Sequence, residues 1–171
     1  MEFTVVQGDI AAERADALVN AAGTSLRMGS GVAGALRRGA NGPINEEAME
    51  KGPVELGEVA VTDAHDLPAE YVIHAAAMPH YGDGRATTDS IRRATRNSLE
   101  KADELGCESI MIPILGTGAA GFGFEEGARL VCKEVRQYEA TNLTDARVIA
   151  YSQREYEALD RVAENVRASM E

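Results

Sequence analysis

The stretch Gly29-Ser-Gly-Val-Ala-Gly-Ala-Leu-Arg-Arg-Gly39 decides much of the fold, because its glycines run directly into small and apolar residues that predict a helix. Glycine has no Cβ to hold a ligand away from the backbone, and it adopts positive φ angles at little steric cost. The following helix leaves its first N–H groups without partners and points the positive end of its dipole at the loop. Loop and helix together therefore predict a cradle for a phosphate group.

A second stretch of the same kind, Gly116-Thr-Gly-Ala-Ala-Gly-Phe-Gly123, follows an apolar run from Ser109 to Leu115 and precedes another helical pattern. Two such cradles predict a diphosphate held between two loops. The alternative for either loop alone is a tight connection from a strand to a helix, with no ligand. Because the pattern occurs twice, each time after a predicted strand, we favour the diphosphate interpretation.

Strand patterns alternate with helix patterns along the chain, which predicts an α/β fold with a largely parallel sheet buried between helices. The predicted strands cover residues 3–7, 15–21, 58–63, 71–76, 109–115 and 147–151, and the predicted helices lie at 32–38, 43–51, 88–105, around 128–135 and at 156–166. Thr88 or Asp89 is the expected cap of the third helix. Ligands of such sheets bind beyond the carboxyl ends of the strands, and Asp9, Asn20, both glycine loops and Tyr151 all fall at those ends.

Length and composition are typical of one globular domain over residues 1–171. Hydrophobic residues make up 44% of the chain, yet no apolar run approaches the roughly 18 residues of a membrane span. The first residues carry no basic-then-apolar signal pattern, so we expect a cytoplasmic protein. Cys107 and Cys132 have no metal-like spacing and are expected to be reduced thiols in or near the core.

The charge balance narrows the range of partners. Formal net charge is −11, and only Lys51, Lys101 and Lys133 among the 17 basic residues are lysines. An acidic, lysine-poor chain with few aromatic residues favours a halophilic protein, whose self-repulsion a salty cytosol screens; the alternative is an ordinary acidic protein. The sequence has no basic stripe of the kind that binds nucleic acid, so no nucleic-acid partner is expected. No membrane partner is expected either. A diphosphate would have to be held by backbone N–H groups rather than by lysines.

The ordered set of short motifs in this chain closely resembles that of the macro domain family. The motifs that carry the resemblance are, in chain order, Gly8-Asp9-Ile10, Ala17-Leu-Val-Asn-Ala-Ala22, Gly29-Ser-Gly-Val-Ala-Gly34, Tyr71-Val-Ile-His-Ala75, Arg96-Asn-Ser-Leu99 and Pro113-Ile-Leu-Gly-Thr-Gly118 with Gly121-Phe122. The resemblance implies a three-layer αβα sandwich with a mixed, mostly parallel central sheet. It also implies a cleft between the two glycine loops that binds ADP-ribose or mono-ADP-ribosylated protein. No cofactor is expected, and no metal site, because no cluster of ligating residues has metal-like spacing.

The family's binding residues map onto this chain position by position. Asp9 is expected to accept a hydrogen bond from the exocyclic amine of adenine, with the N–H of Ile10 nearby; a carboxylate, which only accepts, suits that task. Tyr151 matches the aromatic residue that packs on adenine. Alternatives from the residues alone are a turn or helix cap for Asp9 and a partly buried core tyrosine for Tyr151. The remaining expected ADP-ribose contacts are Asn20, then Gly29, Gly31, Val32 and Ala33 in the first loop, then Gly116, Thr117, Gly118, Ala119, Gly121 and Phe122 in the second.

Three departures from the family pattern bear on catalysis. Many family hydrolases carry a second asparagine, which orients the distal ribose, where this chain has Gly23, and an aspartate, which orients the attacking water, where it has Ala33. An aromatic residue of the second loop is here Ala120. A binding module tolerates all three losses, so we favour binding over catalysis. The alternative is an ADP-ribosyl hydrolase that acts on ester-linked ADP-ribose, on O-acetyl-ADP-ribose or on ADP-ribose 1″-phosphate, and a third possibility is an α/β protein that binds another diphosphate.

Two histidines deserve separate interpretations. The strand position of His74 predicts a packed core histidine. His80 lies in a loop near the expected cleft, where it is a candidate base if the geometry allows. Thr24 and Ser25 are candidates for a ribose contact that replaces the missing asparagine.

Overall fold

Residues 1–80, 84–117 and 122–169 are described by the computed structural model. Within them the strands are β1 (Phe3–Gln7), β2 (Ala17–Gly23), β3 (Val59–Asp63), β4 (Tyr71–Met78), β5 (Ser109–Pro113) and β6 (Asp145–Ala150). The helices are α1 (Gly31–Ala40), α2 (Ile44–Lys51), α3 (Thr88–Glu104), α4 (Phe124–Gln137) and α5 (Gln153–Ser169), with a short 3₁₀ turn at Ile10–Ala12. None of these helices is both long enough and apolar enough to cross a membrane.

The strands form one sheet in the order β1-β6-β5-β2-β4-β3. Every neighbouring pair is parallel except β3 with β4, which is antiparallel. The carboxyl ends of β1, β2, β4, β5 and β6 therefore share one edge of the sheet, while β3 ends at the opposite edge. This confirms the prediction of a mixed, mostly parallel sheet.

Alternation along the strands sends apolar side chains into two separate layers. Leu18, Val72 and Met111 pack with Leu36 and Ile44 of α1 and α2. The intervening strand residues pack on the other face with α3, α4 and α5; they include Ala17, Val19, Ile73, Ile110, Ile112 and Val148. Both faces of the sheet are thus covered by helices, as parallel sheets require. The predicted three-layer αβα architecture is confirmed.

Local boundaries differ from the predictions where side chains divert the backbone from the ladder. Strand β2 begins at Ala17 rather than Ala15, because the Asp16 N–H donates to Ser109 Oγ (2.8 Å). The cap of α3 is Thr87 rather than Thr88 or Asp89. Its hydroxyl accepts from the Ser90 N–H (3.0 Å) while Ser90 Oγ accepts from the Thr87 N–H (2.8 Å), a reciprocal capping box.

Both cysteines lie in the core, as predicted. Cys107 is 3% exposed and Cys132 is fully buried, and neither forms a disulfide. Burial raises the pKa of the Cys107 thiol to about 11 and that of Cys132 to about 12, so both stay protonated and unreactive near neutral pH.

Candidate functional site

The carboxyl ends of β1 and β6 are joined directly after the strands finish. The Gly8 N–H donates to the Ala150 carbonyl at 3.0 Å. Because Asp9 follows Gly8 and Tyr151 follows Ala150, this bond brings the two residues to neighbouring strand ends. Both residues therefore follow the carboxyl ends of neighbouring strands, as the sequence predicts; that this edge binds a ligand stays a prediction.

Asp9 has one carboxylate oxygen engaged and one that is not. Its Oδ1 accepts from the Ala11 N–H at 2.9 Å and caps the 3₁₀ turn, while Ile10 anchors that turn in the core at 5% exposure. Within the described residues Oδ2 makes no hydrogen bond, and the side chain is exposed. The cap alternative is thus observed, and it leaves the second oxygen available as an acceptor.

Tyr151 is the most exposed large hydrophobic residue that the structure describes, at 75%. An exposed tyrosine ring is not a core residue, so the alternative interpretation of Tyr151 is wrong. An exposed ring and an acceptor oxygen that follow neighbouring strands suit a planar heterocycle, which can stack on the ring and donate a hydrogen bond to the oxygen.

The first glycine loop is open above its backbone. A Cβ added at Gly29 or Gly31 would meet nothing within 4 Å, and Gly31 has a φ of +63°. Ser30, the residue before α1, makes no capping bond with its side chain, so the first N–H groups of the helix are not satisfied by it. The space over this loop is therefore available to an anion.

Two further contacts shape the first loop. A Cβ at Gly34 would lie 2.9 Å from the Gly29 carbonyl oxygen, so the glycine lets the loop fold closely onto the helix. The Arg37 guanidinium donates to the Met28 carbonyl at 3.2 Å and places a positive charge beside the loop. Val32 is half-buried, whereas Ala33 is 7% exposed and packs in the core between sheet and helix.

The second glycine loop is described only at its two ends, and the predicted contacts at Gly118, Ala119 and Gly121 lie outside the described residues. Gly116 has a φ of +79°, and a Cβ there would come within 2.7 Å of the Ile91 side chain. The Thr117 hydroxyl donates to the Ile114 carbonyl at 2.9 Å, and the Phe122 N–H donates to the Gly116 carbonyl at 3.3 Å. These bonds fix the ends of the loop beyond β5.

Asn20 belongs to a buried chain of three polar side chains across β2, β4 and β3. Its Nδ2 donates to His74 Nδ1 at 2.9 Å, and the His74 Nε2–H then donates to Thr62 Oγ1 at 2.9 Å. Asn20 and His74 are fully buried, and burial lowers the pKa of His74 to about 4, with a smaller contribution from the positive charge of Lys51. The prediction of a packed core histidine is confirmed.

The carbonyl oxygen of the Asn20 amide is in a different position from its nitrogen. Its Oδ1 is buried without a hydrogen-bond partner among the described residues. The side chain has no exposed surface, so it is not open to a ligand in this structure. Direct contact of Asn20 with a ligand thus stays a prediction.

Gly23, the last residue of β2, lies directly against the segment that follows β4. A Cβ at this position would lie 2.9 Å from the Pro79 carbonyl oxygen and 3.6 Å from the His80 Cα. Next to it, His80 Nδ1 and Ser25 Oγ are 2.9 Å apart. Sequence reasoning noted His80 and Ser25 separately but could not pair them, because 55 positions separate them in the chain.

Comparison with known proteins places this geometry in a family. The family model for the macro domain matches residues 19–131. An uncharacterized protein of Sulfolobus acidocaldarius is 42% identical over 170 residues, which cover 96% of this chain and 92% of that protein. An uncharacterized protein of Mycobacterium tuberculosis is 42% identical over 143 residues, which cover 84% of this chain but only 39% of that longer protein.

Similar solved structures are also macrodomains. A variant of the Oceanobacillus iheyensis macrodomain, determined with ADP-ribose, superposes with a TM-score of 0.87 at 25% identity, covering 96% of this chain and 92% of that one. The Trypanosoma brucei macrodomain in complex with ADP-ribose superposes with a TM-score of 0.82 at 26% identity, covering 92% of this chain and 67% of that one. With the sheet order, the glycine loop before α1 and these matches in agreement, the chain belongs to the macro domain family.

Proposed function

We propose that this protein binds ADP-ribose, either free or attached to a protein as a single unit. The observation that carries the proposal is the pair formed by the unengaged Oδ2 of Asp9 and the exposed ring of Tyr151, at strand ends joined by one hydrogen bond. The complexes of macrodomains with ADP-ribose among the similar structures support the same ligand.

Adenine is the base that suits Asp9. The carboxylate accepts hydrogen bonds and donates none, so it favours the exocyclic amine of adenine over the carbonyl oxygen that guanine or hypoxanthine presents at the same place. Stacking of the base on the Tyr151 ring adds about 1–3 kcal/mol, independent of base identity. Asp9 thus supplies selectivity and Tyr151 supplies affinity.

The diphosphate is assigned to the open loop at Gly29 and Gly31. The start of α1 presents N–H groups and the positive end of its dipole to this space, and the Arg37 charge lies beside it. Such a backbone site lets an acidic, lysine-poor protein hold an anion. The second glycine loop, residues 116–123, stays the other diphosphate contact that the sequence predicts.

Binding is favoured over hydrolysis because two positions lack functional groups. Gly23 has no side chain, and Ala33 is a buried methyl group at 7% exposure, so neither supplies an amide or a carboxylate. The contacts proposed for adenine and diphosphate need neither residue. Assays for release of ester-linked ADP-ribose decide between the two functions.

The experiment that tests the proposal varies the base of the ligand and the hydrogen-bond acceptor of the protein. Calorimetry measures the Kd of ADP and of inosine diphosphate for the wild type and for Asp9→Asn, at high salt. The asparagine Oδ1 can still accept from the Ala11 N–H and preserve the cap, while its amide nitrogen replaces the free acceptor with a donor.

The wild type is expected to prefer ADP by about tenfold, or about 1.4 kcal/mol, and the variant should lose or invert this preference. Melting curves of both proteins serve as the folding control. An unchanged preference in Asp9→Asn would show that Asp9 does not contact the base.

A further inference from the structure

The segment that follows β4 occupies the space that a side chain at Gly23, the last residue of β2, would fill. Gly23 and Pro79 approach so closely that a Cβ at position 23 would lie 2.9 Å from a backbone oxygen, which cannot rotate away as a side chain would. The register of β2 and β4 shifts between Ala22 and Gly23, so that Gly23 pairs with Met78, the residue before Pro79. Gly23 and Pro79 are both partly buried, and His80 is the exposed residue at this point.

His80 is the side chain that this segment presents, and its ring is held in place. The Arg27 N–H donates to Ser25 Oγ at 3.3 Å, so the Ser25 hydroxyl hydrogen is free to donate to His80 Nδ1, 2.9 Å away. In the tautomer that accepts at Nδ1, the ring hydrogen lies on Nε2. His80 is exposed, and within the described residues Nε2 has no partner. A fixed N–H donor thus faces outward at the ends of β2 and β4.

The sheet order shows which part of a ligand would lie there. Adenine is assigned to the ends of β1 and β6, and the diphosphate to the loop that follows β2. Strands β2 and β4 lie three and four positions from β1, which is about 14 and 19 Å at the usual spacing. A ligand running from β1 past the β2 loop therefore brings its far end to β4, where His80 lies.

We propose that His80, oriented by Ser25, donates a hydrogen bond to the sugar beyond the diphosphate and thereby distinguishes ADP-ribose from ADP. The inference rests on the proposed function, because it takes the ligand and its direction from there. Sugar hydroxyls accept hydrogen bonds, and the Nε2–H is a donor whose position is set by Ser25. Ser25 acts as a positioning residue.

The test compares two ligands that differ only by that sugar. Calorimetry measures the Kd of ADP-ribose and of ADP for the wild type, His80→Ala, His80→Gln and Ser25→Ala. His80→Ala is expected to weaken ADP-ribose by about tenfold while ADP is unchanged. His80→Gln, which keeps a donor, should recover part of the loss, and Ser25→Ala should show a smaller loss in the same direction.

The matched control is His65→Asn. His65 is also bonded through its ring, to Glu47, but it lies after β3 at the opposite edge of the sheet. Asparagine tolerates the positive φ of 52° at that position, and both ligands should bind as in the wild type.

The remaining outcomes separate the two proposals. If the wild type binds both ligands and His80→Ala binds both as well as the wild type, or weakens both equally, the role of His80 is overturned while the proposed function stands. If the wild type binds neither ligand, the proposed function fails, and this inference fails with it.

Discussion

His74, the middle residue of the buried Asn20–His74–Thr62 hydrogen bonds, makes the stability of this protein depend on pH. Substituting His74 alone measures that dependence. His74 is fully buried and has a pKa of about 4, against about 6.5 in an unfolded chain. Between these two values the unfolded state binds a proton that the folded state does not. The free energy of unfolding therefore falls as pH drops from 6.5 towards 4. Above pH 6.5 His74 is neutral in both states and costs no stability.

The size of the effect follows from the shift. At 1.36 kcal/mol for each pKa unit, the contribution of His74 amounts to about 3 kcal/mol. Glutamine does not titrate, so the variant His74→Gln does not lose this stability when the pH is lowered. At pH 7 it should be about 1–3 kcal/mol less stable than the wild type, because Asn20 Nδ2 or Thr62 Oγ1 loses its partner. That difference should shrink by about 3 kcal/mol at pH 4, so that the two proteins become similar or change order.

The assay is urea unfolding followed by circular dichroism at pH 7, 6, 5 and 4, at constant high salt. Comparison of the two proteins at each pH cancels the titration of the carboxylates that they share. Thr62→Val is the matched control, because it removes one bond of the chain but keeps the imidazole; its cost should be nearly constant with pH. A difference between wild type and His74→Gln that did not change with pH would refute a neutral, buried His74.

Three further outcomes follow from the same structure. Gly23→Asn, which installs the amide that family hydrolases carry, should destabilise the fold by about 1–3 kcal/mol because its Cβ meets the Pro79 carbonyl, and should not create hydrolase activity; thermal melts and a turnover assay measure both. Tyr151→Ala should weaken ADP-ribose by about 1–3 kcal/mol in calorimetry with little change in melting temperature, because the ring is 75% exposed. Dialysis into low salt should lower the melting temperature, because the net charge of −11 is then less screened, and a melting temperature that stayed constant would count against a halophilic protein.

The fold could be predicted from the sequence because its signals are local and repeated. Alternating apolar strands and amphipathic helices specify an α/β sandwich, and the order of the short motifs specifies the family. His74 could be identified as a core residue because it stands inside the apolar run of β4. Asp9 and Tyr151 could be placed at one edge because parallel strands bring their carboxyl ends together.

Features that depend on the exact course of the backbone could not be predicted. The Ser25–His80 pair joins residues 55 positions apart, in the segments that follow the paired strands β2 and β4. The reason for glycine at position 23 is the carbonyl of Pro79, which no local pattern shows. The capping box of Thr87 and Ser90 is local, yet three neighbouring residues, Thr87, Thr88 and Asp89, all have side chains suited to a cap, and only the backbone decides among them.

The central claim is that this protein binds ADP-ribose at the carboxyl ends of its parallel strands. Calorimetric titration of the folded wild-type protein with ADP-ribose at high salt tests it most directly. We expect saturable binding of one ligand per chain, weakened by at least about tenfold in Asp9→Asn. No binding at any salt concentration, by a protein whose circular dichroism shows it to be folded, would contradict the claim.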